Sequence, residues 1–158
     1  IDNKVKPLRE LFDFIIFDTH PSENSDLVAY ALAASDYCLV PMEVDRDSML
    51  GAIRIAQIVE EFKEGMSIDY GFVPNKVSRR NGKIQKQLEE MEVTLLENGA
   101  NPFFPRIRYT DVISTSKNEG VMLDEIDNKY AKGVMEDFDA VANELLNRLN
   151  IERGADHE

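Results

Sequence analysis

The sequence predicts an α/β fold in which a mostly parallel sheet lies between flanking helices in three layers. Short runs of apolar, β-branched and aromatic residues, such as Phe14–Phe17, alternate along the chain with longer segments whose apolar residues recur at helical spacing. Strands that alternate with helices build parallel sheets with right-handed crossovers. The chain has 158 residues, of which 43% are hydrophobic, and this is enough for one domain with a substantial core. We assign residues 1–150 to this domain and residues 151–158 to a disordered tail.

The individual elements follow from their apolar patterns. Helical spacing from Val5 to Phe12 leads into the Phe14–Phe17 strand, whose unbroken apolar run is typical of a strand buried on both faces. Pro105 makes a later strand short and irregular, because proline cannot donate to a strand ladder. The other predicted elements are a helix over 25–35, a strand over 37–41, a helix over 48–65, a strand over 70–73, a helix over 84–98, a strand over 103–107 and a helix over 131–149.

Charge and cysteine content limit the class of protein. Thirty acidic against eighteen basic side chains give a formal net charge of -12, which on average repels nucleic acid and anionic membranes, so any DNA contact must be local. The single cysteine, Cys38, excludes an internal disulfide and fits a reducing compartment. No apolar run approaches the roughly 20 residues that a membrane helix needs. We therefore expect a cytoplasmic protein without membrane contact.

The Phe14–Phe17 strand ends on an acid, Asp18, which is followed by Thr19 and a proline turn. In open parallel sheets ligands bind just beyond the carboxyl ends of the strands, where Asp18 is expected to lie. A carboxylate there can hold magnesium or its water opposite nucleotide phosphates, as in a Walker B site. The same aspartate could instead only cap the turn, so the position alone does not decide its role.

The chain resembles the ParA/MinD/Soj group of deviant Walker A ATPases. Residues 12–21 read Phe-Asp-Phe-Ile-Ile-Phe-Asp-Thr-His-Pro, and the strand and switch II of that group read like Tyr-Asp-Phe-Ile-Ile-Ile-Asp-Thr-Pro-Pro, so that His20 departs from the usual proline. The resemblance spans about Leu8 to Leu149 and implies a P-loop NTPase-like (Rossmann-like) sheet. Three later segments carry it further: Ala33–Pro41, Gly71–Lys76 and Pro105–Tyr109.

The resemblance implies roles for particular residues. Asp18 becomes the catalytic, magnesium-side acid, and Thr19 becomes a switch II residue. Asn75 becomes an adenine contact through its side-chain amide, while Pro105 and Arg106 line the base pocket chiefly through their backbone. An asparagine after a strand also commonly serves a turn, so a second interpretation of Asn75 stays open.

The phosphate-binding loop of that group does not occur in these 158 residues. Its pattern is Lys-Gly-Gly-x-Gly-Lys-Thr, which cradles phosphates through backbone amides. Because the chain also begins with Ile1 and within a helical pattern, we expect the C-terminal portion of such an ATPase, lacking the N-terminal P-loop strand and inactive alone. ATP and Mg²⁺ are then cofactors of the complete protein that this chain does not retain.

One basic cluster stands out against the acidic background. Residues 74–88 contain five basic side chains and no acid. Such a patch can bind a phosphate backbone without sequence preference, although it is also compatible with a solvated helix start. The cluster consists of Lys76, Arg79, Arg80, Lys83 and Lys86.

The leading interpretation is part of a ParA-like partition ATPase. In complete form it would bind Mg-ATP as a homodimer, bind DNA nonspecifically on the nucleoid and act with a ParB-like partner to segregate a plasmid or chromosome. The final helix lacks the basic face of a membrane-surface helix, which favours partition over the MinD branch. A truncated, non-catalytic interaction or DNA-binding module of the same fold is the alternative. A receiver domain phosphorylated on Asp18 is disfavoured, because it needs an acidic pair on an earlier strand.

Overall fold

The computed structural model describes residues 2–19, 26–63, 65, 67–99 and 105–151, which form helices around a small parallel sheet. No helix in these ranges is long and apolar enough to cross a membrane. In chain order the elements are α1 (Asp2–Val5), a 3₁₀ turn (Leu8–Glu10), α2 (Asp26–Ala33), β1 (Tyr37–Met42), α3 (Arg46–Lys63), β2 (Asp69–Pro74), α4 (Gly82–Glu97), α5 (Val112–Glu119), a second 3₁₀ turn (Leu123–Glu125) and α6 (Lys129–Arg148).

The sheet is parallel, as the alternation of strands and helices predicts. β1 pairs with β2 in a register that runs from Tyr37 opposite Asp69 to Met42 opposite Pro74. Beyond β2 the chain meets a third extended segment: the backbone N–H of Val77 donates to the carbonyl of Ile107 at 3.0 Å, and Val77 forms a parallel bridge with Arg108. The sheet therefore continues from β2 onto residues 105–109.

Apolar side chains pack against both faces of β2. Phe72 is fully buried on one face, in a cluster with Val59 of α3 and Leu95 of α4, and Tyr70 meets its ring edge-on with centroids 5.7 Å apart. Val73, the next residue along the strand, packs on the other face against Val134 of α6. Successive side chains of a strand point to opposite faces, so this split places helices on both sides of the sheet. The predicted three-layer α/β class is confirmed.

Most of the predicted elements occur within a few residues of their expected bounds, but α5 was not predicted. Its apolar content is confined to its first turn, so it has no helical stripe that the sequence could show. It ends at Gly120, whose φ of 66° lies in the left-handed region that glycine adopts without steric cost. Asparagine caps begin two of the predicted helices, at Asn81 before α4 and at Asn128 before α6.

The prediction of a doubly buried strand at Phe14–Phe17 is wrong for the described residues. Residues 12–19 form neither helix nor strand; Phe14 is 53% exposed and Ile16 is 89% exposed, while Ile15 and Phe17 are half-buried. An apolar run is buried on both faces only where neighbouring strands and helices cover it, and the run itself does not specify those neighbours.

Several predictions fall wholly or partly outside the described residues. These are His20, the first two residues of the strand predicted over 103–107, and the tail over 152–158. Of that strand, the described part runs beside the end of β2 with Ile107 buried. Among the described residues 105–109, the pairing is one isolated bridge, between Val77 and Arg108, which agrees with the irregularity expected near Pro105.

Candidate functional site

The carboxyl ends of β1 and β2 are joined by side-chain and backbone contacts. Lys76, just beyond β2, forms an ion pair with Glu43, just beyond β1, and the hydrogen bond to Glu43 raises the pKa of Lys76. The backbone N–H of Asn75 donates to the carbonyl of Met42 at 2.7 Å. These contacts fix the edge of the sheet at which ligands bind in open parallel sheets.

Asn75 serves the turn at the end of β2. Its Oδ1 accepts the backbone N–H of Lys76 at 2.9 Å, and Lys76 adopts a φ of 53°, in the left-handed region. Asparagine commonly stabilises such a turn by bonding the neighbouring backbone. The Asn75 side chain is half-buried, and within the described ranges its amide nitrogen makes no hydrogen bond. The adenine contact of that amide stays a prediction.

Asp18 and Thr19 lie on the exposed segment that precedes residue 20. In the part of the chain that the structure describes, no group of three or more His, Cys, Asp or Glu residues could hold a metal ion. Magnesium does not require such a group, because it keeps several waters and takes one or two carboxylates together with substrate phosphates. A carboxylate and a hydroxyl are oxygen donors of the kind that magnesium takes, and the magnesium role of Asp18 and Thr19 stays a prediction.

A pocket of about 530 Å³ lies beside the third extended segment, between α4 and α6. It brings together the predicted base-pocket residues Pro105 and Arg106 with Arg79 of the basic cluster. Asp18, Thr19 and Asn75 are not among the residues that line it. The lining residues are Val77, Arg79, Gln85, Pro105, Arg106, Arg108, Asp137 and Ala140.

The acid in this pocket is Asp137 of α6, only 6% exposed and bonded to two arginines. Arg108 donates to it through its backbone N–H at 3.0 Å, Nε at 2.6 Å and Nη2 at 2.7 Å, and Arg79 donates through Nη2 at 2.9 Å. Burial alone raises the pKa of Asp137, but the hydrogen bonds from Arg108 and the charges of both arginines outweigh it and hold that pKa below its usual range.

Gly133 provides the space in which Arg108 reaches Asp137. A β-carbon at Gly133 would overlap Nη1 of Arg108 and lie 2.8 Å from its Cζ. Gly133 and Asp137 are one helical turn apart, so both face the guanidinium from α6. Gly133 and Asp137 are not among the site residues that the sequence predicts; a glycine four residues before an acid within an otherwise regular helix is the pattern that could have indicated them.

Arg106 directs its side chain toward α4. Its Nη1 donates to Oε1 of Gln85 at 2.9 Å, and its Nη2 lies 3.6 Å from Oε1 of Glu92. Burial raises the pKa of Glu92, and the Arg106 charge offsets that only in part. The guanidinium is thus held by α4, which is compatible with the prediction that Arg106 contributes to a base pocket chiefly through its backbone.

The five residues of the basic cluster differ in their surroundings. Three are tied to acids: Lys76 to Glu43, Arg79 to Asp137, and Lys86 to Glu90 at 3.6 Å. Arg80 and Lys83 are exposed, and their side chains have no partner among the residues whose placement is described.

Sequence comparison finds related proteins over parts of the chain. A family model described as an AAA domain matches residues 1–70. A ParA family protein of Mycoplasma pneumoniae is 39% identical over 77 residues, which is 48% of this chain and 28% of that protein. The maintenance of carboxysome distribution protein A of Synechococcus elongatus is 26% identical over 127 residues, which is 76% of this chain and 49% of that protein. The matched part thus spans half or less of the length of these relatives.

Structure comparison supports the same fold. A Cyanothece McdA variant solved in complex with ATP aligns with 98% of this chain and 58% of its own length, with a TM-score of 0.76 and 20% sequence identity. At that identity the likeness shows the fold alone: the α/β architecture with parallel strands is shared with the McdA structure.

Proposed function

We propose, from the ParA/MinD-like P-loop ATPase relationship that these comparisons support, that the complete protein is a partition-type ATPase. It binds Mg-ATP, forms a homodimer and binds DNA nonspecifically, and with a ParB-like partner it segregates a cargo. The cargo is a plasmid or chromosome; one relative is named for the distribution of carboxysomes, so a larger cellular body is a further candidate.

The observation that supports this proposal most strongly is the place of Asp18 in the amino-acid sequence. It ends an apolar run, is followed by Thr19, and lies within the 70 residues that the AAA domain model matches. Bound magnesium would neutralise charge on the nucleotide phosphates. Asp18 would orient that ion or one of its waters, and the Thr19 hydroxyl would contact a water or a phosphate.

The adenine would be held at the carboxyl edge of the sheet. Within the described ranges the amide nitrogen of Asn75 makes no hydrogen bond there, and the backbone of Pro105 and Arg106 lies beside the end of β2. The contacts with Gln85 and Glu92 hold the Arg106 side chain against α4. The adenine would therefore contact the backbone of Arg106 rather than its side chain.

The second candidate is a nucleotide-independent DNA-binding module of the same fold. The exposed side chains of Arg80 and Lys83 favour it, since they make no side-chain contact within the described ranges and are accessible to phosphates. Dependence of DNA binding on ATP separates the two candidates.

The direct test uses the complete product of the gene, labelled duplex DNA of mixed sequence, and either ATP or ADP with Mg²⁺. We expect DNA binding with ATP that weakens steeply as salt rises, because counterions are released from the phosphates, and much weaker binding with ADP. Equal binding with ATP, ADP and no nucleotide would support the module instead. No binding in any state would remove DNA from the proposed function.

A further inference from the structure

The turn at the end of β2 fixes the direction in which the side-chain amide of Asn75 faces. The backbone N–H of Lys76 donates to Oδ1 of Asn75 at 2.9 Å. A backbone N–H can only donate, so the amide oxygen must face it and the amide nitrogen is directed elsewhere. Within the described ranges that nitrogen makes no hydrogen bond. The half-buried side chain of Asn75 therefore offers a donor, while its oxygen is already taken by the turn.

The backbone of this turn is anchored at both ends. The N–H of Asn75 donates to the carbonyl of Met42 at 2.7 Å, which ties the turn to the end of β1. Val77 is 1% exposed, and its N–H donates to the carbonyl of Ile107 in the third extended segment. Between these anchors Lys76 has a φ of 53°, which residues other than glycine rarely adopt. The amide thus lies on a short stretch of backbone whose two ends are fixed.

The side chain of Lys76 adds a third tie to the turn. It forms an ion pair with Glu43, on the loop that follows β1. Both side chains are about half exposed, so the pair contributes little to the stability of the whole fold. Its effect is local, because it holds the residue whose backbone N–H fixes the amide oxygen of Asn75.

We propose that Asn75 selects adenine over guanine, and that Glu43, acting through Lys76, is a positioning residue for the Asn75 amide. This inference rests on the adenine contact proposed above and adds to it how the base is chosen. Ring atom N1 on the Watson–Crick edge is an acceptor in adenine and carries a hydrogen in guanine. A fixed donor on the protein pairs with the first base but meets another donor on the second, which leaves both donors unpaired.

The turn matters for this choice because a freely rotating amide would not discriminate. Its oxygen could accept from guanine as readily as its nitrogen donates to adenine. In Asn75 such a rotation would place the amide nitrogen against the backbone N–H of Lys76, with two donors facing each other. Loosening the turn therefore lowers the preference for adenine, even where the binding of the triphosphate is unchanged.

The experiment measures the dissociation constants of ATP and of GTP, each with Mg²⁺, for the complete gene product by isothermal titration calorimetry. The readout is the ratio of the two constants. Both nucleotides carry the same ribose, triphosphate and metal ion, so a change in phosphate binding cancels in the ratio. For the original protein we expect a clear preference for ATP.

Asn75→Asp tests the selection of the base. The carboxylate still accepts the backbone N–H of Lys76, and its second oxygen can accept from N1–H of guanine. We expect the ratio to move toward GTP by at least about tenfold, which is the effect of one hydrogen bond to a charged group. Asn81→Asp is the matched control: it makes the same change at the cap of α4, where aspartate serves equally well, and should leave the ratio unchanged.

Glu43→Gln and Lys76→Gly test the positioning role. Glutamine keeps the shape of Glu43 and loses its charge, whereas glycine adopts the left-handed φ at position 76 without cost and has no side chain to pair with Glu43. We expect each to lower the preference for ATP by up to about fivefold, the effect of one exposed ion pair, with an unchanged thermal midpoint. Glu90→Gln, which removes the acid from the Lys86 pair on α4, should leave the ratio unchanged.

Three results would overturn the inference. They are a ratio for Asn75→Asp equal to that of the original protein, unchanged ratios for both Glu43→Gln and Lys76→Gly, and equal affinities of the original protein for ATP and GTP. Each of these leaves nucleotide binding, and with it the proposed function, in place. If the original protein binds neither nucleotide, the proposed function fails as well.

Discussion

The Asp137→Ala variant is expected to lose about 3 kcal/mol of its free energy of unfolding. Removing one partner of a buried ion pair typically costs about 3–5 kcal/mol, because the remaining charge is left buried without compensation. Here the remaining charge is the Arg108 guanidinium, which is 19% exposed and can regain some water, so the lower end applies. The Arg108 backbone N–H loses its acceptor at the same time. Urea unfolding followed by circular dichroism measures the change.

Glu136→Ala is the matched control for that substitution. Glu136 is the neighbouring acid on α6 and also faces Arg108, but it is 78% exposed and lies 3.9 Å from Nη2. Exposed ion pairs contribute about 0–1 kcal/mol, so we expect little change. Equal losses for Asp137→Ala and Glu136→Ala would show that burial of the Arg108–Asp137 pair is unimportant for stability.

The stability that Asp137 contributes is expected to depend on pH in one direction. The pKa of Asp137 is lowered in the folded state, so the stability it contributes is fully present above its unfolded pKa, about 3.9. That stability is lost as pH falls through the lower folded pKa. The difference in free energy of unfolding between the original protein and Asp137→Ala should therefore be constant near neutral pH and become smaller in acid. If this difference in free energy of unfolding does not become smaller in acid, the lowered pKa of Asp137 in the folded state is contradicted.

The Asp18→Asn variant of the complete gene product is expected to lose most of its Mg-dependent ATP hydrolysis. A metal ion at a phosphoryl centre contributes several kcal/mol of charge stabilisation, which corresponds to a loss of at least about a hundredfold when its orienting carboxylate is removed. Asp18 is exposed, so we expect the thermal midpoint to stay unchanged and the loss to be one of activity. Phosphate release from ATP, measured with and without Mg²⁺, gives the rates.

Asp124→Asn is the control for Asp18→Asn. Asp124 is an exposed acid in the second 3₁₀ turn, and the same change of charge there should leave hydrolysis as it is. Full activity in Asp18→Asn would remove Asp18 from the magnesium site that the sequence predicts.

The helices that sequence predicted well are those whose burial is periodic. The helices α3, α4 and α6 each bury apolar residues at a regular spacing, and that spacing can be read without knowing their neighbours. β2 was predicted from an unbroken apolar run, and its residues from Tyr70 to Pro74 are all buried. The Phe14–Phe17 segment also has an apolar run, but its burial depends on what lies beside it, and within the described residues no strand pairs with it.

The arrangement of the pocket could not be predicted in the same way. Arg108 and Asp137 are 29 residues apart in the chain, and their contact requires both the space at Gly133 and the approach of α6 to the third extended segment. Similarly, the sequence identified five cations in one cluster, but only the fold shows that Lys76 meets Glu43 across the ends of two strands. The number of basic residues in a segment can be read from the sequence, whereas the acid with which each one pairs depends on the tertiary fold.

Binding of Mg-ATP to the complete gene product tests most directly whether that protein is the ParA-like ATPase proposed above. Isothermal titration calorimetry with ATP and Mg²⁺ should give saturable binding that the Asn75→Ala variant weakens, because the adenine would lose its amide contact. Absence of saturable binding to the folded, complete protein would contradict the claim.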